Sequence, residues 1–175
     1  MGNSFSGYTS TEPLTYGLSL TDAKRYLRVD HELDDNLINM LITGSLDAAE
    51  DFLGYPITSR SMSAEYPTNW TIQIAPFYVK SAEVMVGTSS FTDFELENKP
   101  DGAYLYFGSL PNIDKVSVAF NTGDATVSAN VKLAMLKYVV DGYEQRSNDV
   151  YGVSVSKPSF SFVNLLHPNK RYTLS

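Results

Sequence analysis

Cysteine is absent from the 175-residue chain, which excludes a disulfide framework, a thiolate nucleophile and any cysteine-ligated zinc or iron–sulfur centre. Histidine is almost as scarce. His31 and His167 are the two in the chain, far apart and in different contexts, so one chain cannot build a multi-histidine metal site. Positive charge is also in short supply: 13 Lys and Arg against 20 Asp and Glu leave a net charge of −7. That balance disfavours tight binding to a polyphosphate or an anionic lipid surface. No apolar run reaches the roughly 18 residues that span a bilayer. The opening MGNSFSGYTSTEPLTYG lacks the basic start and apolar middle of a secretory signal. Met1-Gly2-Asn3-Ser4-Phe5-Ser6 fits an N-myristoylation pattern formally, without the second signal that stable anchoring takes. Asn69-Trp70-Thr71 is a glycosylation sequon that matters only in a secreted chain. The expectation is a soluble intracellular protein with no membrane contact and no cofactor.

What is present is globular in balance, with 43% hydrophobic and 19% charged residues, and long enough to bury a core. Residues 1–17, rich in Ser, Thr, Gly and Tyr, show no period and read as an N-terminal arm. In LSLTDAKRYLRV (18–29), Ser19 can cap a helix with Asp22 three residues on, while Leu20, Ala23 and Leu27 share one face. Lys24, Arg25 and Arg28 give that short helix a basic outer face. An acidic linker, residues 30–35, leads to a longer helix capped by Asp34 or Asp35. Its apolar stripe is Leu37, Ile38, Leu41, Ile42, Ser45, Leu46, Ala49, Phe52 and Leu53, and Gly54 and Pro56 stop it. About 18 residues make a rod roughly 27 Å long.

From about residue 58 to 122 the period shortens to two. Ile72 and Ile74, Val84 and Val86, Tyr104 and Tyr106, and Val116, Val118 and Phe120 alternate with other residues. Turn signals fall at 67–69, 87–89, 100–102 and 111–112, with Asp101-Gly102 the tight-turn pair. Five or six antiparallel strands are expected. A last long helix spans about 127–147 with Ser128 at its cap. Val131, Ala134, Met135, Tyr138 and Val139 form one stripe, and Leu133, Leu136, Val140 and Tyr143 a second, so the helix should be covered on two sides. Residues 148–175 end in PSFSFVNLLHPNKRYTLS, an apolar patch with a basic end that must dock onto something. The fold class is therefore α+β: a small helical bundle of three main helices, an inserted antiparallel β region, and extended arms. The segments are 1–17, then 18–57 with 125–148, then 58–124, then 149–175. Deleting 158–175 is expected to leave this fold intact.

Catalytic constellations are not found. Gly102, Gly108 and Gly123 stand in turn contexts rather than in a phosphate-cradling loop. No Gly-x-Ser-x-Gly elbow exists, and neither histidine has a triad setting. Asp30, Glu32, Asp34 and Asp35 lack the Gly and late Glu of a calcium loop and read as a capping turn. Asp47, Glu50 and Asp51 read as a solvated helix flank. Glu95 and Glu97 alternate along a strand facing water, although paired acids separated in space are invisible to sequence. Basic residues are too dispersed for a nucleic-acid surface; the groups at 24–28 and 170–171 suit acidic protein partners better. Tyrosines distributed through strands and tails suit interfaces.

Three blocks carry a resemblance. Residues 18–58 hold Leu20, Ala23, Lys24, Leu27, Arg28, Val29 and Asp30, then Asp34, Asp35, Leu37 and Ile38, then Gly54, Tyr55 and Ile57. Residues 116–124 (VSVAFNTGD) precede 131–148, with Lys132, Ala134, Leu136, Tyr143, Glu144 and Arg146 in register. The end holds Val163, Leu165, Leu166, Pro168 and Arg171. In this order the blocks resemble tailed-phage head–tail connector (adaptor) proteins. IAPFYVKSAEVMV (74–86) is similar to a strand of members carrying a β insertion, with the second proline missing.

The resemblance implies a non-enzymatic virion protein of the neck, made in the host cytoplasm. It implies a homo-oligomeric ring, a 12-mer, beneath the portal protein. That ring joins the portal to a stopper, tail-terminator or tail protein, and DNA passes through it without specific binding. The interface it implies comprises Lys24, Arg25, Arg28, Leu133, Leu136, Val140, Tyr143, Arg146, Phe160, Phe162, Leu165, Leu166 and Arg171. The competing reading is a binding module whose β region, with Trp70 and nearby tyrosines, recognises a glycan or a peptide.

Overall fold

The computed structural model describes residues 7–11, 16–124, 126–144 and 162–170. They form two compact units: a β unit of residues 7–11 and 55–124, and a helical unit of 16–54, 126–144 and 162–170.

In the β unit, β2 (Arg60–Pro67), β4 (Val79–Val86) and β8 (Lys115–Thr122) form the middle of a five-stranded antiparallel sheet. Short β1 (Thr9–Ser10) and β5 (Ser89–Phe91) are its edges, in the order β1-β2-β8-β4-β5. A second antiparallel sheet runs β3-β7-β6, from β3 (Thr71–Ala75), β7 (Gly102–Phe107) and β6 (Phe94–Lys99). The expected five or six strands are thus eight among the described residues. The shortest two hold two and three residues, too few to show a period of two.

Where the period is clear, burial follows it. In β8 Val116, Val118, Phe120 and Thr122 are buried while Lys115, Ser117 and Asn121 are exposed. Val116, Val118 and Phe120 join Met62, Val84, Ile72, Ile74, Leu105 and Phe107 in one apolar core fed by both sheets, which supplies the main drive for folding this unit. The β6–β7 hairpin departs from expectation by one residue. Pro100 and Asp101 make the two-residue turn, and Gly102 opens β7 opposite Lys99. At Gly102 φ is 149°, and an added Cβ would lie 2.3 Å from the Ala75 carbonyl oxygen, a close approach only glycine permits.

The N-terminal arm has a seat of its own. The Tyr8 ring meets Phe120 edge-on at 5.7 Å and Phe77 at 6.2 Å, and β1 pairs with Met62 and Ser63. A side chain ties the two sheets. The Asn98 amide, on β6, accepts from the Val79 N–H at 2.9 Å and donates to its carbonyl at 2.8 Å. It thereby satisfies backbone groups of a fully buried residue next to the register shift in β4.

The helical unit begins with α1 (Leu20–Leu27). The Ser19 hydroxyl accepts from the Asp22 N–H at 3.1 Å, as a cap should. Next, α2 (Asp35–Leu53) buries Ile38, Ile42, Ser45, Leu46, Ala49, Glu50 and Leu53 and ends at Gly54. Asp34 occupies the cap position but makes no side-chain cap bond; its carboxylate accepts from the Tyr143 hydroxyl instead. The last long helix, α3 (Ala129–Glu144), packs on α2. Its carboxyl-terminal extension toward 147 lies outside the described residues. The short α4 (Phe162–Leu166), absent from the expected set, covers part of α3, with the Phe162 ring 5.6 Å from that of Tyr138. A 3₁₀ turn, His167–Asn169, follows, and the Lys170 ammonium sits 4.6 Å over the Phe52 ring.

Candidate functional site

Among the described residues no group of three or more His, Asp or Glu could hold a metal ion, and no helix is long and apolar enough to cross a membrane. His31 lies exposed, 4.0 Å from Asp34. Glu95 and Glu97 point outward from β6, opposite Tyr106 and Tyr104.

The three basic residues of α1 have different positions. Lys24 is half-buried and bonds Asp35 at the start of α2, at 2.6 Å; it is not part of a free basic face. Arg25 and Arg28 are exposed, with Tyr26 between them 46% exposed. Arg28 is the one non-glycine residue with positive φ among those described, at 58°. Its N–H and that of Val29 return to the Arg25 and Lys24 carbonyls, closing the helix in a Schellman turn. A side chain in that turn is strained relative to glycine.

An ion pair links α1 to α3: Asp22 receives Lys132 at 2.7 Å. The Lys132 and Ser19 hydrogen bonds hold the Asp22 carboxyl below its ordinary value. On α3, Leu133, Leu136 and Val140 are half-buried, so the second stripe keeps part of its apolar surface in water. Tyr143 spends its hydroxyl on Asp34. Of the expected terminal contacts, Leu166 is fully buried and Leu165 is 9% exposed. Both serve the core of their own unit, and Phe162 is half-buried against Tyr138. Arg146, Phe160 and Arg171 lie outside the described residues.

One surface is legible only in part from the sequence: Asp47 and Asp51 are solvated as expected, Glu50 is instead buried at 2% exposed, and Met40 carries no such signal. On α2, Asn36, Met40, Asp47 and Asp51 are all exposed, and their spacing of 4, 7 and 4 aligns them along the side opposite the buried stripe. Met40 is 72% exposed, and Leu33, just before the helix, 90%. A second surface belongs to the β unit. On the outer side of the β3-β7-β6 sheet Tyr104 and Tyr106 stand with ring centroids 6.5 Å apart. The Lys99 ammonium lies within 5.4 Å of both and bonds the Tyr106 hydroxyl. Trp70, at the head of β3, is 57% exposed.

In comparison by sequence, no protein-family model and no curated protein matches the chain. Its fold, by contrast, has clear relatives among solved structures. It is similar to a chain of the "Neck of native GTA particle computed with C12 symmetry", with TM-score 0.72 and 12% identity. It is likewise similar to one of the "Neck of empty GTA particle computed with C6 symmetry", with TM-score 0.71 and 16% identity. A third, from the "Virion of native gene transfer agent (GTA) particle", gives TM-score 0.69 at 13% identity. Each superposition covers 96% of this chain and 97% of the other. The chain therefore shares, over 96% of its length, the fold of chains from gene transfer agent particles, two of them from neck structures.

Proposed function

We propose that the chain is a structural subunit of a particle neck, a head–tail adaptor with no catalytic role. Copies assemble into a ring, twelve in number, that docks under a portal and joins it to the next neck ring or the tail. The supporting observation is the whole-length likeness to chains of necks reconstructed with twelvefold and sixfold symmetry. The charge fits the role. Duplex DNA carries one negative charge per roughly 1.7 Å of axis, and a lumen that attracted it would retard its passage. A subunit of charge −7 repeated around the channel gives it nothing to hold. The helical unit is the adaptor core and the β unit an insertion facing another part of the particle. The surfaces that serve assembly are Arg25, Arg28 and the half-buried stripe Leu133, Leu136 and Val140, because these keep area exposed among the described residues. The subunit resides in the virion after synthesis in the host cytoplasm.

Electron microscopy of the native particle tests this: density for the chain is expected as a ring at the neck. Density confined to a baseplate or to the capsid lattice overturns it. The exposed Trp70 and the Tyr104–Tyr106 face favour a second reading, a module binding a glycan or peptide. Under that reading Trp70→Ala abolishes receptor binding while neck assembly stays intact.

A further inference from the structure

We infer that the free edge of β3 receives an extended strand, residues 151–156, from a second copy of the chain, so that neighbours join through a shared sheet. This rests on the ring reading and names the edge and the strand that meet.

The backbone of β3 is open on one side. The strand lies at the end of the order β3-β7-β6, with Thr71 opposite Tyr106 and Ile72 opposite Leu105. The Phe107 N–H donates to the Trp70 carbonyl at 3.0 Å. In an antiparallel ladder with that bond, the N–H and C=O of Thr71 and of Gln73 point away from β7. Both residues are exposed, and among the described residues no hydrogen bond reaches these backbone groups. The open stretch stops at the bulge, where the Tyr66 hydroxyl takes the Ile74 carbonyl.

Other edges carry features that keep strands from joining, and β3 does not. The edges β1 and β5 hold two and three residues, and β6 displays Glu95, Glu97 and Lys99. By contrast β3 runs five residues, Thr71 to Ala75, with neither charge nor proline, and the exposed ring of Trp70 stands at its head. An unguarded edge is a template for another strand.

The occupant follows from ring geometry and from the chain outside the described residues. Two β3 edges paired about a two-fold axis close at two copies. An edge and a different strand make a heterologous contact, which runs round a ring when the rotation closes. Residues 145–161 join Glu144 of α3 to Phe162 of α4. Within them Val153 and Val155 alternate with Ser154 and Ser156, which is the period and the β-branching of a strand, and Lys157 and Pro158 end the run. Like β3, residues 151–156 carry no charge. Folded out and back, a connection of this length reaches roughly 27 Å from its anchors, far enough to cross a subunit boundary.

A photo-reactive residue reads this contact without requiring one register. The full-length chain with p-benzoyl-phenylalanine in place of Gln73 is co-expressed with the wild-type chain in cells producing the particle, and purified particles are irradiated. A band at twice the chain mass is expected, its crosslinked peptide containing residues 151–156. Proline tests the hydrogen bonds. Because the Thr71 N–H faces outward, Thr71→Pro removes that donor and spares the ladder to β7. It should lower the amount of chain in particles about tenfold while the free chain melts within about 2 °C of wild type. Val153→Pro with Val155→Pro should do the same. If Thr71→Pro fails to fold, the crosslink decides. Crosslinks within one chain, to another protein or to a different segment, or none in particles that hold the ring, overturn the inference and leave the ring reading standing. Normal incorporation of folded proline variants does so too. Wild-type particles without a ring of this chain overturn both.

Discussion

Single residues carry three distinct constraints here. Arg28 occupies a turn built for glycine, so Arg28→Gly should raise stability by about 1 kcal/mol in a denaturant titration while reducing the amount of chain in particles. Unchanged assembly with that gain would remove the reason given for the arginine. At Gly123 the geometry runs the other way. There φ is 75°, and an added Cβ would lie 2.0 Å from the Thr58 carbonyl oxygen, at the point where Thr58 bridges Asp124. Backbone cannot yield as a side-chain tip can, so Gly123→Ala should cost at least about 2 kcal/mol, seen as a lower denaturation midpoint.

Tyr66 adds a pH dependence. Its hydroxyl donates to the Ile74 carbonyl at 2.5 Å, and burial, with Tyr8 beside it, raises its pKa well above the ordinary 10.0. Above pH 10 the unfolded chain releases the phenol proton while the folded chain retains it. The stabilisation is therefore complete below pH 10 and is lost as pH rises toward the folded value. Tyr66→Phe should cost about 1 kcal/mol at neutral pH and show a shallower alkaline loss in a melting series. An equally steep loss would assign the effect to other groups.

At the scale of elements, the C-terminal segment differs most from its sequence-based expectation. The apolar stretch around residues 160–166 is too short for a core and reads as a docking arm. In the structure Leu165 and Leu166 are buried against the long helices, and Phe162 meets Tyr138. Deleting residues 158–175 should therefore lower the melting temperature of the helical unit by several degrees or abolish its folding, rather than spare it. A truncation melting like wild type would show that α4 contributes nothing to the core. Periodicity located α1, α2 and α3 within a few residues because each carries a helical stripe and flanking caps. A five-residue helix has too few turns to display a stripe. Asp34 shows a similar gap. The sequence places it at the cap, yet Tyr143, more than a hundred residues away, takes its carboxylate, and a sequence-local rule cannot see so distant a competitor.

For the whole molecule, charge is the property most plainly written in composition. With a net −7, the full-length chain should form no complex with duplex DNA below about 100 μM at physiological salt in a mobility-shift titration. A complex whose affinity falls steeply with added salt would contradict a channel that repels its cargo.

Composition and period alone established an acidic α+β chain free of thiol chemistry, with three amphipathic helices and a run of short strands, because local patterns encode local structure. Folding determined the division into two sheets, the seating of Tyr8, the burial of Leu165 and Leu166, and the exposure of Met40 opposite a covered stripe. Those outcomes depend on which distant segments compete for the same buried area and the same hydrogen-bonding groups. Such contests are settled by contacts in space rather than by spacing along the chain.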